Sequence, residues 1–447
     1  MKARSFTLRP FALPRAEVQR LANGLTVHVV ARRQLPLVSM RLAFPAGSAA
    51  DPKGLEGAAE LTAGLLRRGA KGLKADAIAQ AVDFVAASFG GSASDDVFGL
   101  YLNAPAKAFE AMFGLFATVA LSPTFAESEV ALAKRRTLAH MQNDLDEPSV
   151  LADKALLKAL WEGHAYGHDS SGTQAGLRAL TAAHVRSFHA QQLSPGEGHL
   201  VIVGDVAVSK VMARAESLFG HWKGPAPLPR SVAPWSRPVH AGKVFLVDKP
   251  EQTQVQVRIA ARGLPRGHVD QFPVRVMSGV LGGSFTSRLM QQIRVKRGLS
   301  YGARCSFDAM RFCGSFVASS FTKVESADVL TDVALHEIDL MRKKGPTRGE
   351  LESIQRYICG LYPARLETND GIAGMIADIQ LNGLPRDYAD TYRDRIMAVD
   401  VNEASQAAAA HLPRADTTMV WVGPAKALAK RAAKYGDVRV LKPTDLV

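Results

Sequence analysis

Apolar residues along the chain switch between two periods, and the switches come in the same order twice. Residues 21–30 (Leu-Ala-Asn-Gly-Leu-Thr-Val-His-Val-Val) read as a strand entered through an Asn-Gly turn, and 38–44 follow as a second strand. In the second half, 243–247 and 253–260 repeat this pair, with Val255, Val257 and Ile259 separated by polar residues. Each half then offers a helix, at 53–68 and at 272–296, the latter interrupted near Gly282-Gly283. Strand pairs follow around Gly90-Gly91 and across 301–321, then long helical stretches at 105–162 and 325–380. Both halves close with a helix running into a strand that ends on glycine, at 200–205 and 418–423.

Between these series, residues 224–238 contain five prolines, which forbid a regular helix or a central strand. The expected organisation is an N-terminal domain at 1–223, a linker at 224–240 and a C-terminal domain at 241–447. Strands in groups with long helices between them predict an α+β fold: two similar domains, each an antiparallel sheet packed with helices. A chain of 447 residues exceeds a single core, which agrees with the division.

Composition changes little: 47% hydrophobic and 22% charged residues describe an ordinary globular protein. The net charge of +13 is spread without blocks or aromatic interleaving, so no nucleic-acid partner is expected. No run approaches the ~18 apolar residues of a membrane span. The basic start lacks an apolar segment, which leaves the compartment open: cytoplasmic on the lack of a signal in this chain, periplasmic if the chain is a processed form. Cys305, Cys313 and Cys359 make no metal spacing. Cys305 and Cys313 flank an expected turn at 308–311, either facing each other or sitting unpaired in the core.

The candidate chemistry lies at 47–72, where Asp51 suits an N-cap, Pro52 the first helical position and Gly69 the residue past the end. With Asn23-Gly24-Leu25, Gly47-Ser48, Gly204-Asp205 and the run 282–289 (Gly-Gly-Ser-Phe-Thr-Ser-Arg-Leu), this helix resembles the pitrilysin/insulinase family of zinc metallopeptidases. Individually these segments are loose; their order over some 400 residues makes the match specific.

In that family the helix carries His-x-x-Glu-His, so that two imidazoles reach one zinc and the carboxylate takes a proton from the zinc-bound water. The resemblance puts the first His on Gly57, the Glu on Glu60 and the second His on Leu61. The family's third ligand, a Glu on a later helix, falls on His140, and its supporting acid on Ala133. Three ligands have changed together, so no zinc is expected in this chain; Glu60 is expected as a solvated helix carboxylate and His140 as a surface or partly buried histidine. His164 and His168 stand four apart across a glycine and are not expected to ligate.

The resemblance further implies that Arg294 and Tyr301, seven residues apart, reach over a zinc site to hold the substrate carbonyl and donate to the developing oxyanion. It therefore implies a non-catalytic subunit beside a homologous zinc-bearing peptidase subunit, acting on peptides or unfolded protein segments, with zinc in the partner. The neighbouring strand at 306–321 is expected to help bind extended peptide. Two alternatives stand beside it: a structural subunit with no catalytic role, and an active homodimeric peptidase with another site.

Overall fold

The computed structural model describes residues 12–228, 232, 240–414 and 417–446. Most of the expected linker (229–231 and 233–239) lies outside the described residues.

The first sheet contains β1 (Glu17–Arg20), β2 (Thr26–Ala31), β3 (Leu37–Phe44), β4 (Ser88–Ala93), β5 (Phe98–Pro105) and β6 (His199–Gly204). The second contains β7 (Lys243–Asp248), β8 (Gln254–Arg262), β9 (Ala303–Ala309), β10 (Gly314–Lys323), β11 (Thr418–Gly423) and β12 (Asp437–Leu441). Their spatial orders are β1-β2-β6-β3-β5-β4 and β9-β10-β8-β11-β7-β12. Five strands therefore correspond one to one, and the duplication seen in the sequence is a duplication of topology. Only the sixth differs: β1 precedes its partner and runs antiparallel, whereas β12 follows its partner and runs parallel.

The sheets are mixed rather than wholly antiparallel. In each half the last long strand returns to lie parallel to the first, β6 beside β2 and β11 beside β7, while the other core pairs are antiparallel. A parallel pair needs a long crossover connection. The intervening hairpin and helices supply it, and no local pattern in either strand announces it.

The two halves exchange helices. Helix Pro148–Trp161 belongs to the first half by sequence, yet Leu151, Ala155, Leu160 and Trp161 pack against Phe245, Val247, Val420 and Val422 of the second sheet. Reciprocally, helix Asn369–Leu381 lays Ile372, Ala373 and Ile376 on Val30, Ala43, Val201 and Val203 of the first sheet. Each exchange carries an ion pair, Arg258–Asp153 at 2.7 Å and Arg41–Asp370 at 3.0 Å. Each buried aliphatic side chain contributes roughly 1.5–3 kcal/mol. Neither half covers both faces of its sheet by itself.

The cysteine alternatives resolve to buried, free thiols. Cys305 stands opposite Ala318, not Cys313, because the hairpin turn comes after Ala309.

Candidate functional site

The motif helix begins later than the sequence predicts. Residues 52–55 form a turn closed by Leu55 N–H donating to Pro52 O at 2.8 Å, and the helix runs only from Ala58 to Leu65 before a 3-10 turn at Leu66–Arg68. Gly54 and Gly57 both have positive φ, +81° and +102°, which lets the chain fold back instead of starting the helix at Pro52. Asp51 still caps the helix, from a distance. Its carboxylate accepts from Gly57 N–H at 2.7 Å and Ala59 N–H at 2.8 Å. The role was legible in the sequence; the position was not.

Gly57 is therefore the N-cap and not a helical residue. A Cβ there would lie 2.8 Å from Ser171 O and 3.0 Å from Gly172 Cα. Leu61 points into the core at 7% exposure, with Ala58, Ala59 and Leu65. His140 is exposed on helix Glu127–Asp144, and Ala133 packs at the margin of the first core. These residues do not fit zinc: two offer no donor atom, and the helical face that would align the first two ligands is broken at its first position.

Glu60 departs from the expectation of a solvated carboxylate. It is half-buried, and its Oε2 accepts from Ala93 N–H of β4 at 2.5 Å. It ties the edge strand of the first sheet to the motif helix. Gly91 permits the same approach, since a Cβ there would lie 2.3 Å from Ala63 O.

Around this contact gathers an acidic group the sequence did not single out, although the Asp95-Asp96 pair was visible in it. Burial raises the carboxyl pKa values of Asp51, to about 6, and of Glu60 and Asp95. At Asp51 the two backbone N–H bonds and His168, whose Nε2 lies 3.9 Å away, work against burial, and Glu56 works with it. Asp169 raises Glu60 and Asp95 further. His168 Nδ1 is engaged with Asp169 O at 3.0 Å, and His164 Nδ1 accepts from Tyr166 N–H, so each histidine has its own local partner. Asp96 accepts from Tyr166 Oη at 2.5 Å and from Arg311 N–H at 2.8 Å, which joins the β4–β5 turn to the β9–β10 turn across the two halves.

The raised Asp51 pKa gives a pH prediction. The folded state binds its proton more tightly than the unfolded chain, so this contribution to stability is full below about 3.8 and is lost as pH rises through about 6. Hydrogen-exchange protection of the Ala58–Leu65 amides, corrected for intrinsic rates, should rise as pH falls from 7 to 5. Asp51→Asn should flatten that dependence; an unchanged slope would put its origin elsewhere.

The second half presents Arg294 and Tyr301 differently. Arg294 lies in a π-helical turn, Met290–Val295, whose Met290 and Ile293 are buried. Its guanidinium stacks over the ring of Phe285 at 4.6 Å. Phe285, Val295 and Tyr301 are 66%, 61% and 83% exposed. Among the described residues neither the Arg294 nor the Tyr301 side chain forms an ion pair or hydrogen bond. Phe285, within the 282–289 run, is an aromatic nine residues before the arginine; its place in the sequence was visible, its exposure was not. The strand at the sheet's edge is β9, so the expected peptide-pairing strand is Ala303–Ala309 and not the interior Gly314–Lys323. Among the described residues, the group of three side chains able to share an ion is His268, Asp270 and His411, in the second half. There His411 Nε2 lies 2.7 Å from Asp270 Oδ2, an ion-pair geometry that joins a helix end to the start of helix Gln271–Gly282.

Two family descriptions match successive parts of the chain: "Insulinase (Peptidase family M16)" over 27–174 and "Peptidase M16 inactive domain" over 179–358. The chain belongs to the M16 peptidase family. It is 24% identical to an uncharacterized zinc protease of Streptomyces coelicolor, over 88% of this chain and 85% of that one. It is 23% identical to a non-peptidase homolog, YmxG, of Helicobacter pylori, over 88% and 90%. The crystal structure of a peptidase M16 inactive domain from Pseudomonas fluorescens superposes with a TM-score of 0.86 at 29% identity, over 92% of this chain and 98% of that one. Relatives of equal likeness thus bear opposite names, so overall similarity does not decide activity. At and just before the motif helix stand Leu61 and Gly57, the positions that the resemblance assigns to zinc-binding histidines.

No helix among the described residues is long and apolar enough to cross a membrane.

Proposed function

We propose that this M16 chain is the non-catalytic subunit of a heteromeric zinc peptidase, lending Arg294 and Tyr301 to a zinc-bearing M16 partner that cleaves peptides or unfolded segments. One observation carries the reading. Neither Gly57 nor Leu61 offers a ligand to zinc, yet Arg294 and Tyr301 keep side chains without a hydrogen bond among the described residues, Arg294 stacked on the exposed Phe285 and Tyr301 83% exposed. A scaffold that had merely lost catalysis gains nothing from holding a phenol 83% exposed, or a guanidinium stacked on an exposed ring. In the assembled site Arg294 would hold the substrate carbonyl, and the Tyr301 hydroxyl would donate to the oxyanion as it forms. The partner would supply the zinc, the water and the general base. The Helicobacter relative's name, a non-peptidase homolog, is consistent with this division of labour.

Mixing the chain with a zinc-bearing M16 subunit should produce peptidase activity that neither protein shows alone, read as turnover of an unstructured fluorogenic peptide. Chelator-sensitive cleavage by this chain alone would overturn the proposal.

A further inference from the structure

A second set of arginines faces a cleft that none of the above explains. A cavity of about 250 Å3 opens between helix Gln271–Gly282, the edge strand β9 and the residues around Tyr362 and Tyr388. A smaller one of about 70 Å3 continues it, sharing Arg275, Ser278, Tyr362, Arg365 and Tyr392. Arg266, Arg275 and Arg365 line this cleft, and no carboxylate does.

The three cations are not equivalent. Arg266 is held by Asp378 and by the Tyr388 hydroxyl, to which it donates at 3.1 Å, so its charge is already matched. Arg275 and Arg365 are exposed, and neither side chain forms an ion pair or hydrogen bond among the described residues. Elsewhere in this half, the more buried arginines are matched, Arg258 to Asp153 and Arg288 to Glu350. The wall beneath them is rigid and aromatic. Tyr362 and Tyr392 stack at 4.3 Å with 12° between their planes, and Phe272 meets the Tyr392 ring edge-on at 5.7 Å. Tyr362, Tyr388 and Phe272 are buried, so this surface is preformed.

Two unmatched guanidinium groups over a fixed aromatic floor suit a carboxylate on a short apolar stem: the forks take the oxygens and the rings take the methylenes. Even with its continuation the volume only reaches the lower end of the usual range for drug-sized ligands, which favours one side chain over a nucleotide. We propose that this cleft binds an acidic residue of a peptide, so that the chain selects peptides carrying Glu or Asp away from the cleaved bond. The assignment rests on the peptide-handling role above and adds a substrate class to it.

Titration calorimetry on the isolated chain tests it without partner or turnover, so failure here is separable from failure of the split-site reading. The probe is a Glu-containing unstructured heptapeptide and its Glu→Gln counterpart. Expected are at least tenfold weaker binding of the Gln peptide, at least tenfold loss in Arg275→Ala/Arg365→Ala, and no change in Arg297→Ala. The single variants Arg275→Gln and Arg365→Gln serve if the double variant melts early. Equal affinity for the two peptides, or undiminished binding by a folded cleft variant, overturns the proposal. So does inorganic phosphate or free glutarate binding as tightly as the peptide, which would make the cleft a small-anion site.

Discussion

In the reconstituted pair, Tyr301→Phe should leave assembly intact and lower kcat by roughly ten- to a thousandfold, the scale of removing one oxyanion donor, or about 1.4–4 kcal/mol of transition-state stabilisation. The substitution removes one oxygen from a ring that is 83% exposed and makes no hydrogen bond within this chain, so the fold has nothing to lose. Arg294→Ala should raise KM as well as lower kcat, because it removes a charged anchor present in ground and transition states alike. It also strips the cation from the Phe285 face, where the two now lie 4.6 Å apart. Arg297→Ala is the control: a neighbouring cation, exposed, whose Nη1 is occupied by Gln292 O at 3.1 Å and Gln292 Oε1 at 2.5 Å. Steady-state kinetics with the complex verified by gel filtration decides it. Unchanged rates in both variants would make this chain architecture for its partner and nothing more.

Much of this fold was legible because the chain states it twice. The alternation of Val255, Val257 and Ile259, the Asn23-Gly24 turn and the paired closing strands each fix a local element, and their repetition in order fixes the relation between halves. Long-range pairing leaves no such trace. That β6 lies parallel to β2, or that Leu151 and Trp161 cover the other half's sheet, depends on partners some fifty or more residues away. An apolar helix face says only that something must cover it. At the site, the absence of donor atoms was legible residue by residue. The late helix start was not read, although Gly54 and Gly57 were in view: Pro52 after Asp51 is a strong start signal, and two positive-φ glycines overrode it. The burial of Glu60 is hidden from the sequence for a related reason. Helical spacing gives a carboxylate a face but not the strand, β4, that comes to meet it.

Putting the histidines back should not restore the zinc site. Gly57→His/Leu61→His is expected to bind no stoichiometric zinc, like the unaltered chain, and to lose on the order of 2–6 kcal/mol of stability, seen as a lowered unfolding midpoint. Two effects make up that figure. A side chain at φ +102° is strained by about 1–3 kcal/mol, and here its Cβ also meets Ser171 O at 2.8 Å. An imidazole at Leu61, 7% exposed among apolar neighbours, leaves a buried polar group unmatched at a further ~1–3 kcal/mol. Metal binding does not recover this, because residue 57 precedes the helix and its side chain would not share the helical face of residue 61. The third position would still be an exposed histidine on another helix, His140. Elemental analysis after zinc loading and removal of excess metal reads the outcome. It should be run with His411→Ala in parallel, because His268, Asp270 and His411 are close enough to retain a stray ion. One tight equivalent of zinc that survives His411→Ala and is lost on His140→Ala would mean the motif helix can still be assembled into a metal centre. In that event the abandoned site would be an intact scaffold lacking only its ligands.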